Sequence, residues 1–300
     1  MRKSIGLVLA ATLVSTGAAK PREVRRLAPS SQWVVDYADD SCSLARKFGD
    51  GDRQVTLFFD QFEPGDTFSL TMVGKALITY SDDTSAVLRF GPSEDPSDVS
   101  VLAGTSRDTP MLIVQGLQRI APGTAAEKAA RKKAVENAPP IEVPPIGAAR
   151  EKAATWFQVG KALPFDLVLD TGPMDEPLAA LRTCSWDMVR SWGLDVKQQK
   201  QRSMKPYPKT PSRDWFSDND YPAGMLRDGN QAIVNFWLLI DETGKATSCR
   251  IQASTRPKEF DDVVCKVVMR HARFHPALDA QGKPIRSFWR QTVTFRIAGF

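Results

Sequence analysis

Short runs of alternating apolar and polar residues dominate the first part of the chain. Gln54 to Phe59, Phe68 to Val73 and Ala86 to Phe90 each read as a strand rich in Val, Leu, Phe and Thr. Turn clusters separate them: Gly49-Asp50-Gly51-Asp52, Glu63-Pro64-Gly65-Asp66, Ser81-Asp82-Asp83 and Gly91-Pro92-Ser93. From Gln32 to about Ile120 this spacing predicts an antiparallel β-sheet or sandwich. Ala125 to Ala138 then turns to Ala, Lys, Arg and Glu, the pattern of a solvated helix, which Pro139-Pro140 stops. The β pattern returns at Trp156 to Val159 and Phe165 to Asp170. Met174 to Trp192 reads as a helix with Leu181, Cys184, Met188 and Trp192 on one face, so Cys184 points inward.

Val196 to Arg213 interrupts this order. It carries Lys197, Lys200, Arg202, Lys205, Lys209 and Arg213 without an acidic residue, broken by Pro206, Pro208 and Pro211. That is the composition of a solvated linker, and nothing raises the sharper reading, a basic contact for anionic cell-wall or lipid groups, above it. Beyond the linker the periodicity sharpens. Tyr221-Pro222 opens a short helix with Gly229 available as its left-handed cap. Ala232 to Ile240 alternates strictly, Asp241-Glu242-Thr243-Gly244 makes a turn, and a second strand runs from Ala246 to about Ser254. Pro257 to Arg273 is a helix with Phe260, Val264, Val267, Val268 and His271 as its apolar stripe. Arg286 to Ile297 is the last strand, with Trp289, Gln291, Val293, Phe295 and Ile297 on one face.

Three hundred residues at 42% hydrophobic content are enough for two packed domains. Four parts are expected: a signal peptide at 1–19, a β-rich domain with a C-terminal helix at 20–195, the basic linker at 196–214 and a small α/β domain at 215–300. The fold class is α+β. The signal reading rests on Arg2 and Lys3 followed by the apolar run Ile5 to Val14 and the small residues Ser15 to Ala19. It places the chain in the periplasm. If the run is retained instead, the chain is held at the periplasmic side of the inner membrane. In an oxidising compartment four cysteines imply two disulfides. Three connectivities are open, and Cys42–Cys184 with Cys249–Cys265 is the one that closes each bridge within its own domain. The net charge of +5, two of it from Arg2 and Lys3, is too mild to argue for nucleic acid.

The segment from Trp215 to Phe300 resembles the C-terminal domain of the TonB energy-transducer family. The residues that carry the resemblance are Tyr221, Pro222, Gly229, Asp241, Gly244, Arg273, Phe274 and Pro276, followed by Gly282-Lys283-Pro284-Ile285 and a strand ending Val293-Thr294-Phe295. Met225 and Ala232 depart from the family's usual small residue and glycine. The resemblance implies a helix–strand–strand–helix–strand fold around a three-stranded antiparallel sheet. It also implies that the last strand pairs with an extended segment of an envelope protein partner, such as the TonB box of an outer-membrane TonB-dependent receptor, in support of transmembrane transport. Phe288, Arg290, Thr292, Thr294 and Arg296 would then flank the pairing edge. A full transducer of that family keeps a membrane anchor that couples to an inner-membrane proton-channel complex, and a long Pro-rich spacer. Here a cleavable-looking signal and a folded β-rich domain stand in their place.

Catalytic chemistry finds little support. Asp170-Thr171-Gly172 resembles the aspartic-peptidase signature, but that chemistry needs two carboxylates sharing a proton, and a strand running into a turn reads the same way. A carboxylate-based hydrolase using Asp170 is the weakest of the alternatives. His271 and His275 lack metal-ligand spacing and read as packing and turn residues. No metal site, no cofactor and no enzyme activity is expected.

Overall fold

The first domain gets its shape from period-two strands whose inward residues are nearly all aromatic or branched. The computed structural model describes residues 22–79, 83–121, 138–140, 144–255 and 257–297. The signal segment, the Ser81-Asp82 turn and almost all of the helix expected over Ala125 to Ala138 lie outside them. The strands are β1 (Val24–Leu27), β2 (Val34–Tyr37), β3 (Cys42–Phe48), β4 (Val55–Gln61), β5 (Phe68–Val73), β6 (Asp83–Phe90), β7 (Ser97–Ser106), β8 (Thr109–Gln118), β9 (Phe157–Gly160) and β10 (Asp166–Leu169). They form one ten-stranded sheet in the order β1-β10-β9-β6-β7-β8-β5-β4-β3-β2. Its pairs are antiparallel except β1 with β10.

The expected antiparallel sheet is there, but it curls closed instead of splitting into a sandwich. Consecutive strands of one chain segment, β1 and β2, occupy its two ends. The link between them bonds to the end of β3: Ser30 N–H donates to Lys47 O at 2.8 Å and Gly49 N–H to Ala28 O at 2.9 Å. The bridge from Pro29 to Phe48 brings the two ends of the sheet together at this point. Phe48, Phe59, Phe68, Phe90 and Phe157 fill the interior, with Phe59–Phe68 and Phe90–Phe157 centroids 4.8 and 4.9 Å apart. Each such side chain contributes roughly 2–3 kcal/mol of hydrophobic burial.

Two helices close this domain, α1 (Ala148–Ala153) and α2 (Asp175–Ser191). Leu181, Cys184 and Met188 of α2 are buried against the sheet, as their spacing predicts, and Cys184 is bonded to Cys42. The buried Glu151 of α1 receives both terminal nitrogens of Arg182 on α2, at 2.6 and 2.9 Å, which ties the helices together.

The basic stretch read as a linker is folded. It holds α3 (Val196–Gln201), whose first turn is capped by the Asp195 carboxylate accepting from Gln198 N–H, and β11 (Tyr207–Pro208). After it come α4 (Ala223–Arg227), β12 (Ala232–Ile240), β13 (Ala246–Ser254), α5 (Lys258–His271), β14 (Phe274–His275), β15 (Ala277–Leu278), β16 (Pro284–Ile285) and β17 (Ser287–Phe295). β11 pairs with β14, so the stretch is stitched to the second domain.

Strands β13-β12-β17 form the expected three-stranded antiparallel sheet. Val234, Phe236, Leu238 and Ile240 pack onto Phe260, Val264 and Val268 of α5, and the Cys249–Cys265 bond pins α5 to β13. The turn after β12 needs Gly244. Its φ is +83°, and an added Cβ would lie 2.0 Å from Phe274 O. Gly244→Ala is therefore expected to cost about 2–4 kcal/mol through left-handed strain plus displacement of β14. Urea unfolding of the single variant measures it, and a loss under about 0.5 kcal/mol would show that the turn relaxes freely.

Candidate functional site

β17 is an edge strand, and the direction of its backbone groups follows from its neighbours. Thr255 N–H donates to Ile233 O, so the odd residues at the start of β12 turn to β13 and the even ones to β17. Ala232 and Val234 stand opposite Phe295 and Val293. The odd residues of β17 therefore bond inward, and Phe288, Arg290, Thr292, Thr294 and Arg296 direct N–H and C=O away from the sheet. Three contacts agree. Ile297 N–H donates back to the Gln231 side chain at 3.1 Å, Arg286 O accepts from Gln199 on the outer side at 2.8 Å, and Thr292 N–H meets only its neighbour's Gln291 Oε1 at 3.2 Å.

The side chains of these five residues do not share one environment. Phe288 is 4% exposed. It lies edge-on to Trp192 at 5.2 Å, and the Arg202 guanidinium sits 5.2 Å over its ring. The Arg290 side chain is 7% exposed, 3.8 Å from Glu63 and 5.6 Å from the Phe62 ring centroid. Its Nη2 donates to Asn235 Oδ1 and Thr292 Oγ1, both at 3.2 Å. Burial lowers the pKa of this guanidinium, and the Glu63 carboxylate opposes that. Thr292, Thr294 and Arg296 are exposed, with Arg296 Nη2 donating to Gln115 of β8 at 3.1 Å.

The cover over Phe288 and Arg290 comes from the first domain. Trp192, at the end of α2, stacks on Trp237 of β12 with centroids 4.2 Å apart and planes inclined 22°. Both indole N–H groups donate to Asp40 Oδ1, from Trp237 at 2.8 Å and from Trp192 at 3.2 Å. Gln252 of β13 adds bonds to Asp40 O and Phe62 O at 2.8 and 2.7 Å. Val189, Leu194, Trp237 and Phe288 make a small apolar cluster between the domains. Sequence reasoning missed this contact, although one signal was present. β12 is apolar on both faces, and a sheet with a helix on one side only would keep its other face polar. Asp40→Ala is expected to cost about 2–3 kcal/mol, because two largely buried indole donors lose their shared acceptor. Near-UV circular dichroism through a denaturant series reads it, and an unchanged midpoint would mean that Asp40 holds nothing.

The motif residues build the scaffold under β17. Tyr221 rests edge-on to Phe260 and Phe295 and donates to Asn230 O at 2.5 Å. Pro222 precedes the first turn of α4, and Gly229, at φ +70°, closes that helix. Asp241 Oδ1 accepts from Thr243 N–H, Thr243 Oγ1 and Lys245 N–H. Arg273 donates to Ala272 O, Phe274 is fully buried against Trp215 and Trp289, and Pro276 lies beside Gly244. His275 stacks on Tyr207 with centroids 4.5 Å apart, a packing role. Asp170 is engaged by Arg26 Nε at 3.0 Å, and Thr171 O accepts from Trp33 and Arg46, so this tripeptide is tied into the packing of the sheet.

Residues 217–297 match the family model of the Gram-negative bacterial TonB protein C-terminal, a little over a quarter of the chain. A search of the curated proteins finds no match. Among the described residues no helix is long and apolar enough to cross a membrane.

Proposed function

We propose, from the premise that residues 217–297 form a TonB C-terminal family domain, that the chain works in the periplasm by strand pairing. β17 takes up an extended segment of an envelope partner, such as an outer-membrane TonB-dependent receptor, in support of transmembrane transport. The observation that carries this reading is the row of outward N–H and C=O groups on an edge strand whose second half is exposed. Backbone pairing supplies affinity in such complexes and alternate side chains supply selectivity. The two disulfides suit an oxidising compartment. The assignment is to protein interaction and involves no reaction.

Calorimetric titration of TonB-box peptides into the mature protein tests the reading. Saturable binding supports it, and no heat up to about 1 mM peptide, some 4 kcal/mol of binding energy, removes it. A second reading keeps the N-terminal apolar run as an inner-membrane anchor and couples the chain to a proton-channel complex. The intact mass of the native protein separates the two. Loss of about 19 residues supports the periplasmic form, and a full-length mass supports the anchored one.

A further inference from the structure

α3, in the basic stretch between the two domains, does more than join them, because it closes one half of the edge of the pairing strand. At the start of β17, Gln199 Nε2 donates to Arg286 O at 2.8 Å, and Ser287 Oγ donates to Gln199 Oε1 at 2.7 Å. Gln199 and Ser287 are both buried, and Arg202, held by Gln199 Oε1 at 2.8 Å, lies over Phe288. An added strand would have to displace α3 to reach this half. From Arg290 onward the edge is open. The Arg290 side chain is buried, yet the residue as a whole is only half-buried, so its exposure lies on the backbone. Thr292, Thr294 and Arg296 are exposed outright.

Charge is distributed unevenly along the open half. Arg290 is answered by Glu63, whereas Arg296 bonds the neutral Gln115 amide and has no carboxylate partner among the described residues. Thr292 and Thr294 otherwise offer small, uncharged side chains.

Resting on the strand-pairing reading above, we propose that α3 acts as a stop that fixes the register of the docked partner. The site then takes an extended protein segment of about seven residues spanning Arg290 to Arg296, with an acidic residue opposite Arg296. Four outward residues two apart cover about 20 Å at strand spacing, which sets the segment length. The basic stretch is thereby a determinant of partner choice. It rejects segments that continue as a strand past Arg290 and favours those that turn away there.

The test uses the full mature protein with the photo-crosslinking residue p-benzoylphenylalanine at Thr294 in one variant and at Arg286 in another. The probe is an acetylated, amidated seven-residue peptide of alternating threonine and valine with aspartate at both ends, beside a twin with asparagine at both ends. Crosslinking is expected at position 294 and absent at 286. The aspartate peptide should bind about three- to tenfold tighter at low salt, a difference that Arg296→Gln erases. In the Gln199→Ala, Arg202→Ala double variant, longer peptides should crosslink at 286 as well. Equal crosslinking at 294 and 286 in the native background overturns the stop while leaving strand pairing intact. Equal binding of the two peptides overturns the acidic requirement. Failure of every TonB-box and synthetic peptide to bind overturns the strand-pairing reading itself.

Discussion

Replacing Cys42 and Cys184 together by serine is expected to lower the stability of the chain by roughly 5 kcal/mol, against roughly 3 for the same change at Cys249 and Cys265. The difference follows from chain length. The first bond joins residues 142 apart and the second joins residues 16 apart, and the entropy removed from the unfolded chain grows with the logarithm of that separation. Native packing points the same way. Cys42 and Cys184 are both buried in the aromatic core, so two serine hydroxyls would also need partners there.

The consequence reaches beyond the first domain. Cys42 lies two residues from Asp40, and Cys184 lies on the helix that ends at Trp192. The bond therefore holds both halves of the Asp40–Trp192–Trp237 contact. Near-UV circular dichroism should lose its tryptophan signal at a lower denaturant concentration in the Cys42/Cys184 variant than in the Cys249/Cys265 variant. Equal midpoints for the two would contradict the account.

The second large effect concerns function. Thr294→Pro is expected to weaken partner binding at least tenfold while leaving the fold in place. Thr294 turns its N–H away from β12, so proline there removes a donor that no ladder bond uses and puts a ring on the docking edge. Val293→Pro, one residue away, removes an inward donor to β12 and should disrupt the sheet, at a cost of about 3 kcal/mol or more. The pair separates binding from folding. Peptide titration and far-UV circular dichroism on both variants give the answer. Native affinity in Thr294→Pro would mean that the partner does not pair along this edge.

Much of the second domain was legible because each strand there obeys one period. Ala232, Val234, Phe236, Leu238 and Ile240 were read onto one face, and all five are buried in one cluster with Phe260, Val264 and Val268 of α5. The disulfide partners were also legible, since a helix with Cys184 on its buried face has few places to dock. The first domain gave up β4, β5, β6, β9 and β10, half of its strands, but not its closure. β1 reads Val-Arg-Arg-Leu, and although Arg25 pairs locally with Glu23, both arginines also reach far in sequence: Arg26 to Asp170, and Arg25 to lie 3.7 Å over the Phe165 ring. No local pattern encodes such pairings, nor that β1 and β2 occupy opposite ends of one sheet.

The basic stretch misled for a related reason. Lys197, Lys200, Lys205, Lys209 and Arg213 are exposed, as a run of lysines and arginines usually is, yet the stretch is folded, with Lys200 5.0 Å over the Trp186 ring and Arg202 over Phe288. Cations on aromatic faces gain attraction and cover apolar surface at once. The partner-flanking face of β17 was drawn from the family resemblance and the alternation along the strand, which lists five equivalent residues. What separates Phe288 and Arg290 from Thr292, Thr294 and Arg296 is a tertiary contact with the first domain, and that contact is legible only once Trp237 is seen to need a cover.

The most direct measurement is amide hydrogen exchange along β17 in the native protein, resolved by residue, with and without a bound TonB-box peptide. Val293 and Phe295, bonded to β12, should be protected in both states. Arg290, Thr292, Thr294 and Arg296 should exchange quickly alone and at least tenfold more slowly with peptide, while Phe288 stays unchanged. Exchange at Thr292, Thr294 and Arg296 that ignores a saturating peptide would contradict strand pairing at this edge.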